Sequence, residues 1–265
     1  MDQAVGLRRK GNGGLNPGSY VPDVASKRSK PVRVIAVSSG KGGVGKSNVV
    51  INLALSFDRM GLKVLIMDAD LGLANIDVLL GLAPKYNLSH VLNGSKRMEE
   101  VLVNGPGQVK IMPASSGIQE LTRLTDEQKL LLLEMFESIE TEIDVLLIDT
   151  SAGISDTVLY FNLAAHEKIV VVTPEPTSLT DAYALIKVLY SKYGERHFRV
   201  LVNQCRNEAS GKNIFSKISK VADHFLDGLS LDYLGAIPHD IMITKSVLQQ
   251  RALLVRRGRI GHTVE

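Results

Sequence analysis

The chain has 265 residues, 45% hydrophobic and 22% charged, with Cys205 as its single cysteine: enough apolar material for one large α/β domain, and too few thiols for a disulfide framework or a zinc or iron–sulfur cluster. The formal net charge of +3 is uneven, because residues 1–31 carry +4 (six basic, two acidic) and residues 245–265 carry +4 (five basic, one acidic), leaving −5 on residues 32–244; an anionic partner would meet the ends rather than the body. No apolar run nears the ~20 residues that span a bilayer, and the N-terminus lacks the apolar core of a signal peptide, so a cytoplasmic protein is expected.

Residues 1–31 include Gly11, Gly13, Gly14, Gly18 and three prolines but little periodic apolar pattern. That surface is too small to offset the entropy of ordering, and a flexible basic tail is expected. Within it Ala4 and Leu7 fall on one side of a short helical turn, ahead of Arg8, Arg9 and Lys10, a segment suited to folding on a partner's surface. From Val32 onward short β-branched runs alternate with helical patterns. Strands are predicted near 32–38, 63–67, 109–112, 143–148, 168–172, 199–203 and 233–237, and helices near 46–60, 125–140, 179–193, 211–226 and 241–250. Thr125 with Gln128 makes a capping box, and Gly194 can close the third helix. Alternation of this kind predicts βαβ units, and Val145–Ile148 and Ile169–Val172, apolar on both faces, read as central strands of a parallel sheet. The expected fold is an α/β P-loop NTPase with a mostly parallel, doubly wound sheet of seven or eight strands and helices on both faces. The folded domain spans 32–250, and 251–265 form a short basic tail.

The chemistry begins at the end of the first strand. Ser38 to Ser47 reads SSGKGGVGKS and fits G-x-x-x-x-G-K-[ST], with Gly40, Gly45, Lys46 and Ser47 in the fixed places, after a strand and before a helix. Gly42, Gly43, Val44, Gly45, Lys46, Ser47 and Asn48 are predicted to wrap the phosphates of a nucleotide: backbone N–H groups turn inward, the helix adds its positive end, Lys46 adds a charge, and Ser47 offers a hydroxyl to Mg²⁺. Lys41 lies inside this loop, where the backbone already cradles the phosphates. The second strand delivers Asp68 and Asp70 at its carboxyl end, Asp68 toward the metal waters and Asp70 toward an attacking water. Asp149 follows the strand Val145–Ile148 where a metal-supporting carboxylate belongs, and Gly153 is the candidate for sensing a terminal phosphate. An N-K-x-D guanine motif is absent after strand 199–203, where the chain reads Asn203-Gln204-Cys205-Arg206, which favours adenine. Asn203, Pro238 and Asp240 stand at strand ends that could reach a base, though each also suits a turn. The histidines show no paired ligand spacing.

Taken together, Lys41 to Ser47, the stretch Asp68 to Asn75 (DADLGLAN) and Asp149 to Gly153 (DTSAG) resemble the deviant phosphate loop and the two switch segments of the MinD/ParA class of ATPases. Within that class, Glu175 to Lys187 (EPTSLTDAYALIK), together with Asp2-Gln3-Ala4 and Leu7-Arg8, is similar to the FlhG (FleN/YlxH) flagellar-number regulators. The resemblance covers residues 2–10 and 32–250. It implies a homodimer closed by two ATP molecules, with Lys41 reaching the partner's phosphates as a catalytic group beside Lys46, Asp70 and Asp149. Ser47, Asp68 and Asp149 would support Mg²⁺, Asn203, Pro238 and Asp240 would lie near adenine, and hydrolysis to ADP and phosphate would open the dimer. It also implies that Asp2, Gln3, Ala4, Leu7 and Arg8 stimulate the SRP-type GTPase FlhF, and that the body meets flagellar C-ring proteins or a FleQ-type transcription regulator. Relatives end in a membrane-binding amphipathic helix and gather at the inner face of the cytoplasmic membrane at the cell pole. Here Ala252 to Gly261 is short, carries two glycines and lacks a sustained apolar face, which argues against direct anchoring. A ParA-like partitioning ATPase that holds DNA through its basic ends is the alternative; the acidic body counts against it, and no direct nucleic-acid contact is expected.

Overall fold

The computed structural model describes residues 31–70, 75–114 and 143–255, and positions 125, 127, 128, 130–132 and 134 between them. The N-terminal segment with Asp2, Gln3, Ala4, Leu7 and Arg8, residues 135–140 of the predicted helix 125–140 and the tail from 256 lie outside the described residues.

Eight strands form one sheet: β1 (Arg33–Ser39), β2 (Val64–Ala69), β3 (Val103–Asn104), β4 (Lys110–Met112), β5 (Val145–Ala152), β6 (Glu167–Val172), β7 (His197–Cys205) and β8 (Ser230–Pro238). Their order is β3-β4-β2-β5-β1-β6-β7-β8. Every pairing is parallel except β3 with β4. Alternation along the strands explains why the sheet is buried on both sides. Val34, Ala36, Leu65, Met67, Leu146 and Ile148 join one core cluster, and Ile35, Val37, Val64, Ile66, Val145 and Leu147 join the other. β1 lies between β5 and β6, so the chain winds away from it in both directions and leaves a crevice at its carboxyl end.

The helices are α1 (Lys46–Arg59), α2 (Ile76–Leu80), α3 (Leu88–Leu92), α4 (Met98–Val101), α5 (Asp156–Ala164), α6 (Pro176–Tyr193), α7 (Glu208–Phe225) and α8 (Ile241–Leu248), with further helical residues between 127 and 134. Periodicity did not predict α2 to α5 or β3. Three of these helices have five residues or fewer, below the length at which a 3.6-residue period shows. The fourth, α5, carries Val158, Leu159, Tyr160, Phe161, Leu163 and Ala164, which stand nearly all round it, Leu163 exposed, so no polar stripe marks a face. α6 starts three residues before the predicted 179, with Pro176 in its first turn, and ends as expected at Gly194 (φ 75°). α7 likewise starts early, because Asn207 and Ser210 cap each other reciprocally. The Thr125–Gln128 box forms in both directions, at 3.0 and 3.2 Å.

Past α8 the chain stays on the body through Val255. Ala252, placed by composition in the C-terminal tail, is buried in the core; the Leu254 N–H donates to Asn52 Oδ1 at 3.2 Å, and Arg59 donates to the Leu254 carbonyl at 2.6 Å. At the amino ends of the strands, Glu167 accepts from both Arg33 and Arg199, and Lys168 pairs with Glu195 at 2.6 Å. Among the described residues no helix is long and apolar enough to cross a membrane.

Candidate functional site

The loop between β1 and α1 is shaped for an anion. Gly43 (φ 78°) and Gly45 (φ 90°) take left-handed backbone conformations, and Gly45 caps α1 without any side-chain hydrogen bond, so the first N–H groups of a 14-residue helix are not consumed by a cap. Two glycines are fixed by space as well. A Cβ on Gly40 would come 2.0 Å from the backbone carbon of Asp181 in α6, and one on Gly45 would come 2.5 Å from Asn203 Nδ2. Lys46 is 9% exposed; burial lowers its pKa, while Asp149 and Asp70 oppose that shift. Burial disfavours the charged form of this lysine, and the two carboxylates favour it.

Those carboxylates play different parts. Asp68 is 1% exposed, and its oxygens accept the N–H groups of Asp70 (3.1 Å), Asn75 (3.0 Å) and Ile76 (3.2 Å), so it ties the end of β2 to the start of α2. Burial, opposed in part by these bonds, pushes its pKa up to about 6. Asp149, paired across β5 and β2 with Asp68, is pushed up to about 7 by burial and then by the Asp68 charge, while Ser47 and Lys46 pull it down. Its Oδ1 is buried without a hydrogen-bond partner.

An orphaned, strongly disfavoured carboxylate oxygen beside Ser47 fits a divalent cation, which would relieve the crowding of negative charge. Among the described residues no group of three or more His, Cys, Asp or Glu side chains gathers to hold a metal by protein ligands alone. Mg²⁺ takes one or two protein oxygens and completes its shell with substrate phosphates and water.

Gly153 (φ 94°) follows at the end of β5, and its N–H donates to the Ser39 carbonyl at 2.9 Å, which holds this segment against the strand before the loop. Lys41 is elsewhere. Its ammonium pairs with Glu175 and donates to Thr177 Oγ1 at 3.0 Å, at the start of α6, with the side chain 39% exposed. The structure therefore separates the two lysines of the loop, Lys46 in the buried nest and Lys41 on an open face.

Beside the nest a cavity of about 600 Å³ has Asn48, Asn203, Gln204, Pro238 and Asp240 on its rim and Ile169, Leu201 and Ile237 on its apolar wall. The three residues proposed for a base thus meet in one place. Two of them also have structural work: Asn203 Nδ2 donates to the Val44 carbonyl at 2.7 Å and so braces the phosphate loop, and Asp240 caps α8 through the Met242 N–H at 2.8 Å. Sequence reasoning missed Gln204, whose backbone sits at φ 55° on the cavity rim, and the Glu175–Thr177 seat of Lys41. The first has no sequence signal, since glutamine does not advertise a positive φ. The second could have been sought in the segment after β6, which lies at the carboxyl edge beside β1. Two histidines have structural partners: His90 takes part in the cap of α3, and His166 Nδ1 accepts the Val34 N–H at 3.1 Å.

A family model of the ParA group, described as NUBPL iron-transfer P-loop NTPase, matches residues 30–259. The antiactivator FleN of Pseudomonas aeruginosa is 51% identical over 223 residues, which cover 84% of this chain and 79% of the relative. The flagellum site-determining protein YlxH of Helicobacter pylori is 35% identical, covering 83% and 74%. Among solved structures, MinD of Pyrococcus horikoshii complexed with Mg-ADP superposes with a TM-score of 0.67 at 27% identity, over 84% of this chain and 87% of that one. MinD in the MinC:MinD complex of Aquifex aeolicus gives 0.68 at 27%, over 86% and 90%. A phosphate nest, a buried carboxylate suited to Mg²⁺, the eight-stranded topology and these similarities agree: the chain belongs to the MinD/ParA family of P-loop ATPases, in its FleN/YlxH (FlhG) branch, and is an ATP hydrolase.

Proposed function

We propose that this ATPase is a dimerising switch that sets flagellar number and placement, alternating between an ATP-bound pair and ADP-bound single subunits. The observation that carries the reading is the separation of the two loop lysines. Lys46 serves the phosphates of its own subunit from the buried nest, while Lys41 stands on an exposed face, held among the described residues by Glu175 and Thr177 of its own chain. A fixed cation in that place suits the phosphates presented by a facing subunit, and it makes hydrolysis depend on assembly.

In this reading Asp70 orients and deprotonates the attacking water, Lys46 and Lys41 offset charge that builds on the terminal phosphate, and the Gly153 backbone adjoins it. Ser47 and Asp149 would hold Mg²⁺, whose chemistry there is to neutralise phosphate oxygens. Asp68 supports from behind by fixing the start of α2, so that a change at the phosphates is passed to the segment after Asp70. The adenine base occupies the cavity rimmed by Asn203, Pro238 and Asp240. The 35% identity to YlxH, a flagellum site-determining protein, supports the flagellar output, and the 51% identity to the antiactivator FleN supports a regulatory one. The Asp2-Gln3-Ala4 segment with Leu7 and Arg8 is proposed to stimulate the SRP-type GTPase FlhF, and the body to bind C-ring proteins or a FleQ-type regulator, in the cytoplasm and at the inner membrane face at the pole through those partners.

Size-exclusion chromatography of the wild type and Asp70→Ala with ADP or ATP and Mg²⁺ tests the switch. The variant is expected to remain a dimer with ATP; if it elutes as a monomer at every concentration tried, the paired model is wrong. Removing residues 1–10 should leave intrinsic ATPase intact and abolish stimulation of the GTPase, and retention of both activities would remove the role given to Gln3.

A further inference from the structure

We propose that Asn162 is a positioning residue for ATP hydrolysis, one that holds the bulged end of β5 against the strand feeding the phosphate loop. The register of β1 with β5 runs one to one from Arg33 with Val145 to Val37 with Asp149 and then slips, so that Ser39 pairs with Ala152. Two steps along β1 therefore meet three along β5, a bulge at Thr150 and Ser151 directly after Asp149. Side chains close it. Thr150 Oγ1 lies 3.0 Å from Ser38 Oγ and 3.3 Å from the Val37 carbonyl. Asn162 Nδ2, on α5, donates to Ser38 Oγ and to the Val158 carbonyl, each at 2.8 Å. Ser38, Thr150 and Asn162 are all at most 1% exposed.

The amide is not there for stability alone. Asn162 Oδ1 is buried without a partner, and an unpaired buried acceptor weakens a fold; leucine, close to it in shape, would remove that cost. What asparagine supplies is a tie from α5, through Ser38 and Thr150, to the bulge. Asp149 stands at the near end of that bulge and Gly153 just beyond its far end. A shift of the bulge would move an oxygen suited to Mg²⁺ and the backbone at the terminal phosphate together. The phosphate loop itself is anchored separately, by Gly40 on α6 and by Asn203 on Val44. Loss of the tie should therefore fall on the rate of hydrolysis and spare ADP binding. This inference rests on the reading of Asp149 and Gly153 given above.

The test is Asn162→Leu in the full chain, with steady-state ATPase, ADP affinity by calorimetry and the thermal midpoint. The expected result is a kcat lowered roughly tenfold or more, toward the ~100-fold that a 1 Å misplacement can cost, with ADP affinity within about twofold of wild type and a midpoint unchanged or raised. Ser38→Ala should reproduce the loss, and the double variant should lose no more than either single one, since both cut the same tie. An unchanged kcat overturns the proposal. So does a loss of kcat accompanied by an equal loss of ADP affinity and a lower midpoint, the mark of a merely structural role; if Asn162→Leu does not fold, Ser38→Ala is judged by the same split. Asp149→Asn separates the proposal from its foundation. Mg²⁺-dependent turnover surviving in that variant removes the reading of the site and the proposal with it, whereas turnover lost there but untouched in Asn162→Leu removes only the role of Asn162.

Discussion

At the carboxyl end of the sheet Asp68, Asp70 and Asp149 act on one another, Asp70 and Asp149 also act on the buried Lys46, and burial together with the mutual repulsion of the carboxylates pushes Asp149 up to about 7 and Asp68 up to about 6. At the amino end Glu167 sits between Arg33 and Arg199, and the Arg33 guanidinium holds its carboxyl below the usual range. A carboxylate is thus disfavoured at one end and satisfied at the other, within a single sheet about eight residues deep. The difference teaches where the molecule keeps stability and where it gives it up. The amino end closes its own charges, and the carboxyl end leaves negative charge for a ligand to complete.

Substitutions can break or sharpen that contrast. The largest effect is expected from Lys41→Ala, which removes a cation from the open face: turnover should fall by about 100-fold, the scale for one lost charge-stabilising group, while the thermal midpoint and ADP affinity of the single subunit stay near wild type. A comparable loss of ADP affinity would return Lys41 to the cradle of its own subunit. Next comes Asp149→Asn, for which Mg²⁺-dependent ATP affinity should drop more than tenfold, yet the nucleotide-free protein should unfold at the same or a higher temperature, because a carboxylate that burial disfavours has been neutralised. A lower midpoint would show that Asp149 stabilises the fold and would erase the contrast.

The third prediction concerns pH. Asp149 and Asp68 have folded pKa values raised above the unfolded value of about 3.9, so the unfolded state releases protons that the folded state retains. Their contribution is therefore lost as pH rises from about 4 to about 7. Without Mg²⁺ and nucleotide, chemical denaturation of Asp149→Asn should show a weaker decline across that window than wild type, and equal slopes would contradict the assigned shift. Glu167, with its pKa lowered, acts in the opposite sense: its contribution is present above the unfolded value and fades as pH falls. The smallest effect is expected there. Glu167→Gln should cost about 1 kcal/mol, the scale of a partly exposed pair, seen as a midpoint lower by a few degrees, with no change in turnover. A loss of turnover in that variant would couple the two ends.

Much of this was legible in the chain. Gly40, Gly45, Lys46 and Ser47 are readable because the anion site is local: consecutive backbone N–H groups and a helix start need only their own short sequence. Asp68, Asp70 and Asp149 were readable because a buried parallel strand is a run of β-branched and aliphatic residues, and the residues just past such a run lie at the carboxyl edge of the sheet. α5 was not legible, since apolar residues stand on nearly every side of it, exposed Leu163 among them, and leave no period, and neither were the starts of α6 and α7, where Pro176 and the Asn207–Ser210 cap begin the helix ahead of its apolar stripe.

By itself, then, the sequence determined the kind of fold, the phosphate loop and which carboxylates stand beside it, because each depends on contacts between near neighbours or on a strand's own composition. Only the tertiary structure decided how they divide the work. The bulge after Asp149, the commitment of Asp68 to the start of α2, the brace of Asn203 on Val44, the seat of Lys41 on Glu175 and the tie from Asn162 to Ser38 join residues far apart along the chain. Sheet order and register bring those partners together, and no local pattern encodes either.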